Sequence, residues 1–182
     1  MSEPRLDFKS GYQTVLRAVL SAKETVFSDA IRLSPLPEGT IIHVLAAQGA
    51  ADMESHLRAL NKGDVRAVSP GQWFIVRDEV MPHTEMAAFF TQLKPQATAV
   101  DQSHGRVRMR IEGRMVERAL AKGTAVDLSI KAFAVGQSAM TLIGHITAHL
   151  TRVEEHAFEI IVLRGFAESL WDDLVRISLE FG

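Results

Sequence analysis

The sequence predicts an α+β fold of antiparallel sheets with helices packed on one side, arranged as two similar halves. Two observations carry this expectation. A strand pair followed by a helix occurs twice, at Val65 to Leu93 and again at Gln137 to Leu179, and strands do not alternate singly with helices as a parallel sheet requires. The clearest strand and helix patterning lies between Ala99 and Gly182, where Val107, Met109 and Ile111 alternate with Arg106, Arg108 and Arg110. With 182 residues the chain can bury a substantial apolar interior. Residues 1–182 are therefore expected to form one domain, with residues 1–29 as an N-terminal extension.

Taken in order, Met1 to Gly11 is polar and reads as a frayed end. Tyr12 to Phe27 places Val15, Leu16, Val19 and Leu20 at helical spacing, which predicts a short amphipathic helix. Ala30 to Leu36 and Thr40 to Ala47 read as strands separated by Pro37, Glu38 and Gly39. Asp52 to Leu60 sets Met53, Leu57 and Leu60 on one helical face, with Asp52 as candidate cap and Asn61, Lys62 and Gly63 as the stop. Val65 to Val68 and Trp73 to Val76 flank the tetrad Ser69, Pro70, Gly71 and Gln72, a hairpin pattern. Asp78 to Leu93 then predicts a helix with Pro82 near its start and Met86, Ala87, Phe90 and Leu93 inward.

After a break at Lys94 to Gln96, Val100 to Gln102 and Arg106 to Ile111 read as strands, the second with one buried and one basic face. Glu112 and Gly113 open a helix ending at Gly123, striped by Met115, Val116, Ala119 and Leu120. Ala125 to Phe133 is a less regular connection. Gln137 to Arg152 and Phe158 to Leu163 predict a hairpin around Val153 to His156. Phe166 to Leu179 closes the chain as an amphipathic helix burying Phe166, Leu170, Trp171, Leu174 and Ile177.

Composition narrows the function classes. Twenty Lys and Arg against 22 Asp and Glu give a net charge of -2, so the chain lacks the basic footprint of a nucleic-acid or anionic-membrane binder. The absence of cysteine removes disulfides, thiol nucleophiles and Cys-based metal sites, and fits a reducing compartment. The start, MSEPRLDFKSGYQTVLRAVL, is polar and acidic before any apolar stretch, unlike a secretory signal. No run approaches the roughly 20 apolar residues that span a bilayer. The expected compartment is the cytoplasm.

The candidate reaction centres are weak. His145 and His149 are four apart, with Glu154, Glu155 and His156 close behind, which invites a metal or proton-relay reading. On a strand at about 3.3 Å per residue the two imidazoles would lie roughly 13 Å apart, too far to share one ion. On a helix, the zinc-protease motif needs a Glu where Ile146 stands. Surface or interface histidines are the better account. Asp101, Ser103 and His104 contain the letters of a hydrolytic triad, but strand neighbours point to opposite faces, so a turn is favoured. No Walker A or spaced Gly-rich loop is present. Trp73, Phe74, Phe158, Phe166 and Trp171 fit core positions. Arg106, Arg108 and Arg110 either bind an anion or acidic partner patch, or line a solvated strand face.

Several segments nevertheless carry a resemblance. DQSHGRVRMRIEGRMVERALAKGTAVDLSIKAF, TLIGHITAHLTR and FEIIVLRGFAESLWDDL, together with SPGQWFIV at Ser69 to Val76, are similar in content and order to the gamma subunit of bacterial heterotetrameric sarcosine oxidase. The likeness runs from about Val65 to the end of the chain. Arg114 stands where that family often has Pro, Gly165 replaces a common Ser, and Ser69 a common Gly. The family is more distantly similar to the folate-binding domain of the glycine-cleavage T-protein, through Asp101-x-Ser103 followed by Gly113, which implies a fold like that domain's. The resemblance implies a noncatalytic accessory subunit in an enzyme that oxidatively demethylates sarcosine to glycine, passing the one-carbon unit to tetrahydrofolate or releasing formaldehyde, with hydrogen peroxide. Catalytic, cofactor and metal residues are then expected to be absent here, with FAD, FMN, NAD, tetrahydrofolate and zinc carried by the alpha, beta and delta subunits. Trp73, Arg106, Arg108, Arg110 and Arg164 are the expected contacts to those partners, and self-association is expected in isolation. The alternative is a stand-alone folate-binding or one-carbon-transfer protein.

Overall fold

The computed structural model describes residues 18–28 and 30–181. Ten strands form two antiparallel sheets among these residues. The strands are β1 (Val26–Phe27), β2 (Arg32–Pro35), β3 (Thr40–Ala46), β4 (Asp64–Ser69), β5 (Gln72–Arg77), β6 (Ala97–Asp101), β7 (Arg106–Glu112), β8 (Ser138–Ile143), β9 (Ile146–Glu154) and β10 (Ala157–Leu163). The helices are α1 (Met53–Leu60), α2 (His83–Leu93), α3 (Val116–Leu120) and α4 (Ala167–Ser178). One sheet has the order β1-β2-β7-β10-β9-β8 and the other β4-β5-β3-β6.

The smaller sheet is a β-α-β-β-α-β unit: β3, α1, the β4–β5 hairpin, α2 and β6. The larger sheet repeats it with β7, α3, the β9–β10 hairpin and α4, in the matching order β9-β10-β7-β2. Its fourth strand, β2, comes from upstream of the first unit. The two similar halves expected from the sequence are thus present, the second with its last strand taken from the start of the chain.

Burial explains the layering. On β7, β9 and β10 the residues Val107, Met109, Ile111, Ala148, Leu150, Phe158, Ile160 and Val162 turn to one side and join Leu120, Leu170, Trp171 and Leu174 of α3 and α4. On the smaller sheet, Ile42, Val44, Val65 and Ile75 pack on Met53, Leu57, Phe89 and Leu93 of α1 and α2. A third, smaller cluster of Ile41, Phe74, Val76 and Ile161 joins the sheets to each other. Each sheet therefore has helices on one face and the other sheet on its second face. No helix among the described residues is long and apolar enough to cross a membrane.

Several sequence expectations are corrected. Residues 12–17 of the helix expected over Tyr12 to Phe27 lie outside the described residues, as does the polar start Met1 to Gly11. The remainder is a turn closed by Ser21 N–H to Ala18 O, followed by β1. Helix α2 begins at His83 rather than Asp78, because Thr40 Oγ1 donates to Glu79 O and accepts from Met81 N–H, at 2.8 and 2.7 Å, fastening that segment to the sheet. Its buried residues are Phe89 and Leu93, while Ala87 is exposed. Helix α3 keeps only the middle of the span expected over Glu112 to Gly123.

The expected single strand from Gln137 to Arg152 is a hairpin of its own. Gly144, at φ 61°, and His145 reverse the chain between Ile143 and Ile146. Phe166 is half-exposed rather than buried, since a 3₁₀ turn at Arg164–Phe166 sets the phase so that α4 buries Ala167, Leu170, Trp171, Leu174 and Ser178. The face of β7 expected to be solvated is turned to the second sheet, and Arg108 is buried there.

Candidate functional site

Two groups of polar residues stand out, one between the sheets and one in a cleft beside β6. Between the sheets, Glu159 interrupts the otherwise apolar β10 and lies between two buried arginines. Its Oε2 is 2.8 Å from Arg66 of β4 and accepts from Arg108 of β7 at 3.1 Å. Arg108 also donates to Asp78 Oδ1 at 2.7 Å and to Arg77 O at 3.3 Å. Arg66 and Arg108, from two strands, thus meet on the carboxylate of a third, and Asp78 extends the network through Arg108, linking the sheets.

His149 of β9 is fully buried in the same layer. Its Nε2 lies 2.8 Å from Ala67 O on β4, and since a carbonyl only accepts, Nε2 carries the proton and donates. Nδ1 is then an unpartnered acceptor in the interior. The ring meets Phe74 edge-on at 5.2 Å, and the Arg106 guanidinium lies over the Phe74 ring, 4.7 Å from its centroid. Burial pushes the His149 pKa down to about 4, against the pull of the Ala67 hydrogen bond and with the help of Arg66 and Arg106. His43, tilted against Phe74 and 3.0 Å from Gln72, is also lowered, first by burial. These groups are neutral or already paired, and they serve to join the sheets. His145 sits exposed in the β8–β9 turn. Among the described residues no three His, Asp or Glu side chains come together as a metal site.

The cleft, about 550 Å³, lies where β3 begins and β6 ends. Met81 and Met86 give it apolar surface, and Asp101, His83 and His104 bring polar groups. Ser103 Oγ donates to Asp101 Oδ1 at 2.5 Å and accepts from Ile41 N–H at 3.0 Å, while Ser103 N–H donates to the same carboxylate oxygen at 2.9 Å. Asp101 therefore binds Ser103 directly, in the turn that ends β6, and no His104 relay intervenes. The hydroxyl is held as a structural link, so the triad letters do not make a nucleophile. The cleft can take a small ligand carrying N–H donors for the exposed Asp101 carboxylate.

The expected partner contacts are placed as follows. Arg108 is buried, which leaves it no surface to offer a partner. Arg110 donates to Glu112 at 2.6 Å and Glu154 at 2.7 Å. Arg106 donates to Gln102 at 3.0 Å. Trp73 packs on the smaller sheet's core and donates to Glu54 at 3.3 Å. Arg164 donates to His104 O at 2.7 Å and to Glu38 at 2.6 Å. Burial raises Glu38, but Arg164 and the Val19 N–H outweigh it and hold the carboxyl below its usual range. Sequence reasoning missed Glu159 and Arg66. The signal was available in AFEIIVL, where one acid inside a run buried on both faces requires a cationic partner.

Comparison with known proteins adds to this geometry. Residues 54–180 match the model of the "Sarcosine oxidase, gamma subunit family". A chain of the heterotetrameric sarcosine oxidase from Corynebacterium sp. U-96, in complex with pyrrole 2-carboxylate, superposes with a TM-score of 0.77 at 20% identity, over 91% of this chain and 95% of that one. The glycine cleavage system aminomethyltransferase T from Bartonella henselae superposes with a TM-score of 0.56 at 12% identity, over 80% of this chain and 45% of that one. At these identities both likenesses are of fold. No curated protein matches the chain.

Proposed function

Since the chain belongs to the sarcosine oxidase gamma subunit family, we propose that it acts as the accessory subunit of a cytoplasmic heterotetrameric sarcosine oxidase that oxidatively demethylates sarcosine to glycine. The observation that carries this reading is the family match over residues 54–180, and the agreement of fold with a chain of a heterotetrameric sarcosine oxidase supports it. In this reading FAD, FMN, NAD, tetrahydrofolate and zinc belong to alpha, beta and delta partners, and this chain holds those partners in place. The exposed parts of Trp73, Arg106, Arg110 and Arg164 contribute to that contact.

The test is purification of the tagged chain from its own cells. A yellow complex that makes peroxide when given sarcosine is the expected product; a colourless chain without partners would sink the proposal. A second reading, a stand-alone folate-binding or one-carbon-transfer protein, rests on the cleft beside Asp101. Titration of the isolated chain with tetrahydrofolate separates the two: saturable binding lost in Asp101→Asn favours the second.

A further inference from the structure

Nine large apolar side chains are exposed among the described residues. Two of them, Met140 and Leu142, lie in β8, and two more, Ile130 and Val135, in the connection that leads to it. Among the described residues β8 is the outermost strand of the larger sheet, its ladder partner is β9, and β4 of the other sheet passes close to it. Arg152 N–H donates to Gln137 O at 3.0 Å. In an antiparallel ladder the inward groups recur at every second residue, so Ala139, Thr141 and Ile143 also bond to β9. The N–H and C=O groups of Ser138, Met140 and Leu142 therefore point to the free edge. The side chains of Met140 and Leu142, 39% and 52% exposed, stand on one face beside it.

A free edge is a template for another strand, and natural edges are blunted by charge, proline, bulges or brevity. The other edges here follow that rule. β4 carries Asp64, Arg66 and a bulge between Ala67 and Ser69, β1 has two residues, and β6 is stopped by the Asp101 turn. β8 (SAMTLI) has six residues, no charge, no proline and an unbroken ladder. Among the described residues this edge is the one without such protection and is also apolar, the combination expected of a strand that is covered in use.

We infer that the free edge of β8 receives an extended segment of a partner subunit, which adds to the sheet as a further strand. The occupant is a strand because the groups that face the edge are main-chain donors and acceptors at strand spacing, of which Leu142 O is met only by the neighbouring Thr141 hydroxyl, at 3.3 Å. Its side chains beside Met140 and Leu142 are apolar, since the edge offers no charge to pair. That it comes from a different subunit rests on the accessory-subunit reading above.

Amide hydrogen exchange on the complex purified through the tagged chain, and on the chain alone, tests this. The Met140 and Leu142 amides should exchange freely in the chain alone and on the order of 100-fold more slowly in the complex, whereas Thr141, bonded to β9, is protected in both. Leu142→Pro removes an outward N–H and an exposed side chain but no bond to β9, so it should leave the thermal midpoint of the chain unchanged and cut partner recovery about tenfold or more. Met140→Lys, which places a charge on the edge, provides the same readout should the proline variant be unstable. Partners recovered with Met140 and Leu142 still exchanging freely, or recovered in full by Met140→Lys, overturn the docking edge and leave the accessory role standing. A wild-type chain that brings down no partner overturns both. Protection that grows with the concentration of the chain alone assigns the edge to a second copy and also overturns the inference.

Discussion

His149 donates one hydrogen bond across the layer between the sheets and has no partner for a second proton. Protonating Nδ1 would place a charge in the interior beside Arg66 and Arg106. The folded pKa, about 4, lies below the ordinary 6.5, so between these values the unfolded chain binds the extra proton. Stability from this residue is therefore complete above about pH 6.5 and falls as the pH is lowered toward 4. The slope is about 1.4 kcal/mol per pH unit, for a total of roughly 3 kcal/mol. His149→Gln keeps a donor for Ala67 O and removes the titration. Urea unfolding of both proteins between pH 7 and 4 should give a shallower loss for the variant, and parallel slopes would rule out this burial. Arg152 shows a different solution in the other core. It is fully buried, donates to Glu117 at 2.8 Å and to the carbonyls of Glu155 and Leu128, and lies 4.4 Å over Phe158. A fixed planar cation does not itself titrate, and here one carboxylate and two carbonyls take its donors.

Two glycines do different work at the level of elements. Gly144, at φ 61°, turns the β8–β9 hairpin in open space, with Asp173 Oδ2 3.9 Å from where a Cβ would lie. Gly113, at φ 130°, follows β7, where a Cβ would overlap the carbonyl of Ala30. Gly144→Ala should cost only the backbone conformation, about 1 kcal/mol. Gly113→Ala must also push away the chain entering β2, and should cost about 3 kcal/mol or more. Thermal unfolding of the pair tests the ranking; equal losses would show that the approach to Ala30 relaxes freely. The sequence made β7 legible because Val107, Met109 and Ile111 alternate with arginines. It hid the β8–β9 turn because Ile143 and Ile146 continue the apolar pattern straight through Gly144 and His145. Phe166 misled for a related reason: a 3₁₀ turn shifts phase without changing the spacing of apolar letters. The burial of Arg108 and His149 was hidden because the second sheet that covers them is built from residues some 30 to 80 positions earlier.

Across the whole molecule, the sheets meet through a small apolar cluster, the His149 hydrogen bond and the ion pairs of Arg66 and Arg108, and both of these arginines share the Glu159 carboxylate. Glu159→Gln would leave the buried Arg66 and Arg108 with only the exposed Asp64 and Asp78 as counter-charges and should lower stability by about 3 kcal/mol. Lys23→Ala, breaking the exposed pair with Asp172, should change it by less than about 1 kcal/mol. Chemical denaturation distinguishes them, and a similar small loss for both would mean the sheets do not rely on Glu159. The placement of β2 also sets a schedule for synthesis. By the time Asp101 leaves the ribosome, every strand and helix of the smaller sheet has been made, while β2 still lacks β7. The first unit can mature as a nascent body that holds a loose strand at its head, and the later half then closes over that strand like a clasp.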